Sequence, residues 1–274
     1  MTVRVKNILD SLNSIAPFHL AEPWDNVGLL VGDREQKVSG VLVGLDTTST
    51  LVDEAVAIGA NTIITHHPVI FKPLPAINTG NSTGKLLQKI LANHLVIIGY
   101  HTNFDSAAEG VSDALAKMLG LKNLIPLLPS PDENSTTGLG KIGTLEPPLK
   151  GDLFVADLCR ALDINHCQIT STPPKKIAKV AVCGGSGSDL SERAFAAGAD
   201  IYLSAEIKHS TAVWAAENNF CIIDGSHYAT EKPAMTLLVK KLNRAGNADN
   251  WNIEITQTQK EKHPFTGIAL KPQT

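Results

Sequence analysis

The sequence predicts an α/β protein of two similar, duplicated lobes with mostly parallel sheets and a metal site in the cleft between them. Three observations carry this. Short, mostly apolar runs such as Thr62-Ile63-Ile64 alternate with helical stretches, as in strands covered on both faces. The second half of the chain repeats the strand–helix–strand order of the first. Histidines and carboxylates stand where the apolar runs end, at the carboxyl edge of a parallel sheet, where α/β proteins form their sites. A chain of 274 residues that is 43% hydrophobic is long enough to bury such a core.

In chain order, Ile8, Leu9, Leu12 and Ile15 recur at helical spacing until Pro17, giving an amphipathic helix over about residues 4–15. Pro23-Trp24-Asp25-Asn26-Val27-Gly28 then mixes a turn with an apolar run; Trp24 and Asp25 can serve a site, or a packed ring and a local turn. A strand over 40–45 delivers Asp46, and the run from Thr47 to Thr50 caps a helix stopped by Gly59. The next strand ends in Thr65-His66-His67-Pro68. After a proline-rich loop, Ser82 caps a helix, and the strand over 95–99 ends in Tyr100-His101-Thr102-Asn103-Phe104-Asp105. A helix stopped by Gly120 completes a first lobe placed at 1–128. The polar stretch 129–137 reads as the connection to a second lobe at 129–274, whose last helix and strand can pack back on the first.

In the second half, a strand over 177–183 leads to Gly184-Gly185-Ser186-Gly187, and a helix ends in Gly198-Ala199-Asp200, echoing Gly59-Ala60-Asn61. The strand over 201–204 stands where 62–65 stood, with Ala205-Glu206 in place of the histidine pair. A last apolar strand, over 220–224, ends in Gly225-Ser226-His227, with Glu231 one helical turn beyond. His101-x-x-x-Asp105 and His227-x-x-x-Glu231 thus occupy equivalent strand ends. A histidine closing a strand and an acid opening a helix are ordinary structural roles taken singly, but all of them at matching positions point to one centre.

His66, His67, His101, Asp105, His227 and Glu231 are too many ligands for one tetrahedral ion and suit two ions sharing a bridge. Adjacent strand residues point opposite ways, so His66 and His67 can serve different ions. Nitrogen and oxygen donors without thiolate leave zinc, iron, manganese, cobalt and nickel open and disfavour magnesium. Two divalent ions against two carboxylates leave a positive site, which favours a small anionic substrate and metal-assisted hydrolysis. Glu206 and His209 are candidate catalytic or substrate-binding groups near a strand end. Gly184, Gly185, Ser186 and Gly187 read as a substrate-phosphate site at a helix start or as a tight turn.

Composition narrows the partners. A net charge of −3 and a pI near 6.3 give no basic face for nucleic acid, and no apolar run is long enough for a membrane. Cys159, Cys167, Cys183 and Cys221 form no CxxC pair and fit free thiols in a reducing, cytoplasmic compartment. The apolar residues Ile8, Leu12 and Ile15 of the opening helix, and Trp251, Ile253 and Ile255 near the end, need cover that a ring of identical subunits would provide.

The blocks Pro23-Trp24-Asp25-Asn26-Val27-Gly28-Leu29, Thr65-His66-His67-Pro68-Val69-Ile70-Phe71-Lys72-Pro73-Leu74, His101-Thr102-Asn103-Phe104-Asp105 and Gly225-Ser226-His227-Tyr228-Ala229-Thr230-Glu231 closely resemble the Nif-three-like family, whose members are called GTP cyclohydrolase I type 2 homologues. The resemblance spans almost the whole chain and matches the family's short form, without an inserted domain. It implies two α/β lobes, a dinuclear metal centre on the six residues above, and a ring-shaped homohexamer with its sites facing an inner cavity. It also implies a metal-dependent hydrolase, GTP cyclohydrolase-like, acting on a nucleotide or phosphorylated heterocycle through a metal-activated water. The alternative is a non-catalytic metal-binding ring or protein-interaction module.

Overall fold

Residues 2–131 and 136–266 are described by the computed structural model, and they form two sheets. The first half supplies β1 (Gly28–Val31), β2 (Gly40–Gly44), β3 (Thr62–Thr65) and β4 (Val96–Gly99). The second half supplies β5 (Lys122–Pro129), β6 (Gly138–Leu149), β7 (Gln168–Ile169), β8 (Ile177–Ser186), β9 (Ile201–Ala205) and β10 (Cys221–Asp224). The last strand, β11 (Glu254–Gln257), returns to the first sheet, whose order is β1-β4-β3-β2-β11. The second sheet runs β5-β6-β8-β9-β10-β7. Both are built on a parallel triplet, β2-β3-β4 and β8-β9-β10; β11 extends the first in parallel beside β2, and the other flanking strands are antiparallel.

The helices are α1 (Val5–Ile15), α2 (Ser49–Ala57), α3 (Ser82–Ala92), α4 (Thr102–Ser106), α5 (Val111–Met118), α6 (Gly151–Leu162), α7 (Ser191–Ala196), α8 (His209–Glu217) and α9 (His227–Ala248). In α1 the apolar stripe Val5, Ile8, Leu9, Leu12 is buried, as its spacing dictates. Thr48 caps α2 by accepting from Leu51 N at 3.1 Å, and Gly59, at φ 73°, takes the left-handed turn that ends it. Asn81, rather than Ser82, caps α3 by accepting from Gly84 N at 2.8 Å.

The central strands of the first sheet are buried on both faces because their side chains alternate between two cores. Val41, Val43, Ile64, Val96 and Ile98 face one with α1 and α9, while Leu42, Ile63 and Ile97 face the other with α2 and α3. Each such side chain contributes about 1.5–3 kcal/mol by leaving water.

The long α9 ties the halves together. It starts at the end of β10, buries Ala229 in the second sheet's core, and then lays Ala234, Met235, Leu238 and Leu242 into the core under the first sheet. That crossing carries His227 and Glu231 from the second sheet to the carboxyl edge of the first. It also covers the terminal apolar residues: Ile8, Leu12 and Ile255 are buried, and Ile15, Trp251 and Ile253 pack against the same core. The cover expected from a ring of subunits is therefore internal to the chain.

The stretch 129–137 differs from its expected role as a link between lobes, although its residues 132–135 lie outside those described. It joins β5 to β6, antiparallel partners in the second sheet, so the chain has already entered that sheet at Lys122. All four cysteines are free, with Cys159 Sγ and Cys167 Sγ 3.7 Å apart. Among the described residues no helix is long and apolar enough to cross a membrane.

Candidate metal centre

The six predicted ligands converge on one point at the carboxyl edge of the first sheet. His66 and His67 leave β3 still bonded as strand, His66 N donating to Gly44 O at 3.2 Å and His67 N to Leu45 O at 2.8 Å. His101 follows β4 and caps α4, whose single turn brings Asp105 back toward it. His227 and Glu231 are one turn apart on α9, with His227 Nε2 3.0 Å from Glu231 Oε1.

Each imidazole is tied outward through Nδ1 and faces the centre with Nε2. His66 Nδ1 donates to Tyr100 O at 3.0 Å, His67 Nδ1 to Asp46 Oδ1 at 2.9 Å, His101 Nδ1 to Asp25 at 3.0 Å, and His227 Nδ1 to Glu206 Oε1 at 3.0 Å. This leaves the four Nε2 lone pairs pointing together, the arrangement by which outer acceptors fix a ligating histidine's tautomer and ring plane. His67 Nε2 lies 3.3 Å from His227 Nε2 and 3.1 Å from Glu231 Oε2; His66 Nε2 lies 3.5 Å from Asp105 Oδ1 and 3.6 Å from Glu231 Oε1. Among the described residues two groups are close enough to hold an ion: His66, His67 and His101, and His67, His227 and Glu231.

The donor set fits a cation better than it fits protons. His66 Nε2 and Glu231 Oε2 are buried without a hydrogen-bond partner; Oε2 is near His67 Nε2 but off the direction of a ring N–H. Such orphans cost roughly 1–3 kcal/mol each, more when charged. His67 Nε2 and His227 Nε2 cannot both carry a proton along the line between them. A cation among these atoms removes both problems.

Electrostatics show the same strain. Burial opposes charge on His67, but Asp46 and Glu231 outweigh it and raise the imidazole to about 10. His66 and His227 are raised against burial by the neighbouring carboxylates in the same way. Burial pushes Asp105 up, with Glu231 adding to it, whereas the surrounding imidazoles overcome burial and hold Glu231 well below the usual carboxylate range. Asp25 is held below its usual range despite burial by bonds from His101 and Thr102.

Four outer residues complete the picture. Asp46 leaves β2 beside β3, and the register Gly44↔Thr65 sets it next to His67. Asp25, 76 residues before His101, also accepts from Thr102 N at 3.0 Å. Glu261 Oε1 accepts from Leu45 N and Asp46 N, steadying that strand end; only the loop position of Asp25 and the strand-end position of Asp46 hinted at this shell. Glu206, a candidate acid from its position, is the acceptor on His227 Nδ1. His209 is the exposed first residue of α8 and belongs to neither ligand group.

The glycine run 184–187 lies in and just beyond β8 rather than at the start of a long helix; only a three-residue 3-10 turn and the six-residue α7 follow. Its backbone is engaged internally, Gly185 N donating to Thr230 Oγ1 at 3.0 Å and Gly185 O accepting from Ser204 Oγ at 3.1 Å. A Cβ on Gly185 would stand 2.1 Å from Glu231 Oε1, so the position must lack a side chain for Glu231 to reach the centre.

This geometry matches a known family over nearly the whole chain. The profile of Duf34/NIF3 (NGG1p interacting factor 3) matches residues 3–264. The chain belongs to that family. A Streptomyces coelicolor relative named GTP cyclohydrolase 1 type 2 homolog is 33% identical over 274 residues, covering 98% of this chain and 96% of the relative. A Clostridium acetobutylicum protein of the same name is 32% identical, covering 97% and 99%. Among solved structures, a Bacillus cereus protein related to NIF3 superposes with a TM-score of 0.92 at 27% identity, covering 98% of this chain and all of that one. A Staphylococcus aureus protein gives 0.91 at 30% identity, again covering 98% and 100%.

Proposed function

We propose that the chain is a dinuclear-metal-dependent hydrolase acting on a nucleotide or another phosphorylated heterocycle, as the name of its relatives, GTP cyclohydrolase 1 type 2 homolog, would have it. The observation that carries this reading is the set of four outward-anchored histidines, three of which, His66, His67 and His227, bring Nε2 to within 3.6 Å of a Glu231 oxygen. Two divalent ions bound there would supply Lewis acidity and acidify water toward neutral pH. In this reading His67 and His227 would hold one ion and His66, His101 and Asp105 the other, with Glu231 within reach of both. Asp46, Asp25 and Glu206 keep the rings aimed by accepting from Nδ1. Nitrogen and oxygen donors suit zinc, iron, manganese, cobalt or nickel.

A screen of nucleotides, phosphoesters and cyclic amides with fully metallated protein tests the activity. Turnover that disappears in His101→Ala supports it. Turnover that survives this substitution places the chemistry elsewhere. No turnover with full metal selects the rival reading, a metal-binding ring or protein-interaction module. The same proposal includes a homohexameric ring admitting small anionic substrates, and light scattering that returns a monomer mass at micromolar concentration would refute the ring.

A further inference from the structure

Two large aromatic side chains stand exposed beside the centre, although the backbones that carry them are firmly held. Trp24 is 59% exposed and Phe71 43% exposed. Their ring centroids are 5.8 Å apart with planes at 61°, and each lies near the His101 ring, at 6.3 Å and 6.2 Å. A Trp left this open on a wandering loop would be unremarkable, but Trp24 does not wander. The next residue, Asp25, has a carboxylate shielded from solvent that accepts from His101 Nδ1, from Thr102 N at 3.0 Å and from Thr102 Oγ1 at 2.5 Å. Asn26 Nδ2 donates to Ile70 O at 2.5 Å and so pins the residue before Phe71 to the residues after Trp24. The residues that aim His101 at the centre therefore also fix an aromatic corner next to it.

We propose that Trp24 and Phe71 form a stacking subsite that holds the planar heteroaromatic ring of the ligand on the His101 side of the centre. The inference rests on the metal-dependent reading above and narrows its substrate class to ligands that carry a flat, nucleobase-like ring. Rings inclined at 61° offer one face to stack on and one edge to abut, which suits aromatic packing better than a parallel sandwich. A rigid Trp gives this contact area with little loss of side-chain freedom on binding. Stacking accepts any flat ring, so the corner selects for the presence of a base, and selection among bases falls to polar groups elsewhere.

The test uses the full-length, metallated protein with two probes, guanosine 5′-monophosphate and ribose 5-phosphate, followed by calorimetry. The wild type should bind the nucleotide more tightly than the sugar phosphate. Trp24→Ala should weaken the nucleotide about 5- to 150-fold and leave ribose 5-phosphate unchanged. Trp24→Phe should recover most of the loss, and Phe71→Ala should show a smaller one. Metal content and light-scattering mass should match the wild type in each variant. Equal binding of both probes by metallated wild type overturns the subsite, as does a Trp24→Ala protein that binds the nucleotide normally. Equal weakening of both probes overturns it too, because Trp24 would then act only by steadying Asp25. A change of mass without a change in ring preference assigns the corner to a subunit contact. Wild-type protein that takes up no metal fails the parent reading instead, and elemental analysis separates that outcome from the others.

Discussion

β3 and β9 occupy the middle of two parallel triplets of the same construction, yet one ends in Thr65-His66-His67 and the other in Ala205-Glu206. At the first end both side chains turn their Nε2 atoms into the centre. At the second, Glu206 stops short and accepts from His227 Nδ1 at 3.0 Å. The strand frame decides where a side chain emerges; its length and chemistry decide whether it reaches the centre or orients something that does. The anchors also differ in how well they are shielded. The Asp25 side chain behind His101 has no solvent exposure, whereas Asp46 behind His67 is 50% exposed and Glu206 behind His227 is 61% exposed. Asp25 should therefore supply most of the rigidity among the carboxylate anchors, and Glu206 the loosest edge.

Removing a residue that faces the centre breaks this comparison most severely. Glu231→Ala takes the one carboxylate that approaches His66, His67 and His227, and His66→Ala takes the fully buried imidazole. Either should abolish stable metal uptake at micromolar concentration, read by elemental analysis after dialysis, while far-ultraviolet circular dichroism stays native because the cores lie elsewhere. Uptake at wild-type level in Glu231→Ala would show that the halves do not share a site.

Anchor residues sharpen it. Asp25→Asn should cost about 10- to 100-fold in metal affinity, the usual effect of losing a buried carboxylate behind a ligating histidine. Glu206→Gln, at an exposed pair, should cost no more than a few-fold. Competition with a metallochromic chelator measures both, and equal losses would erase the asymmetry between these two anchors.

A separate test is the effect of pH on metal-free protein. The folded-state value of His67 is raised from 6.5 to about 10, so its protonated form contributes stability that is complete below pH 6.5 and lost as pH rises through about 10. Metal-free protein should therefore melt progressively lower between these limits. Metallated protein should not, because an ion has replaced the proton. Parallel melting curves for the two forms across that range would contradict this.

Much of the cluster was legible because its side chains are local signals at strand ends: each histidine comes within a few residues of the end of an apolar strand, and Asp105 and Glu231 come four residues after His101 and His227. The outer shell was less so. Asp46 depends on the β2–β3 register, and Asp25 meets His101 across 76 residues, neither of which has a local pattern. In the fold, the β5–β6 hairpin escaped notice because the polar stretch 129–137 that begins at Pro129 read as a link between lobes, and both strands carry prolines. Prolines are tolerated in β5 because it is the edge of its sheet, and in β6 they fall near the end of the strand. The cover over Ile8 and Leu12 was missed because it comes from α9, more than two hundred residues along the chain.

The central claim is that six side chains from two halves make one shared, two-ion centre, and metal stoichiometry tests it most directly. Protein purified without chelators and then equilibrated with zinc or manganese should carry about two ions per chain by inductively coupled plasma mass spectrometry. Preparations that hold no metal and take up none on addition would contradict it.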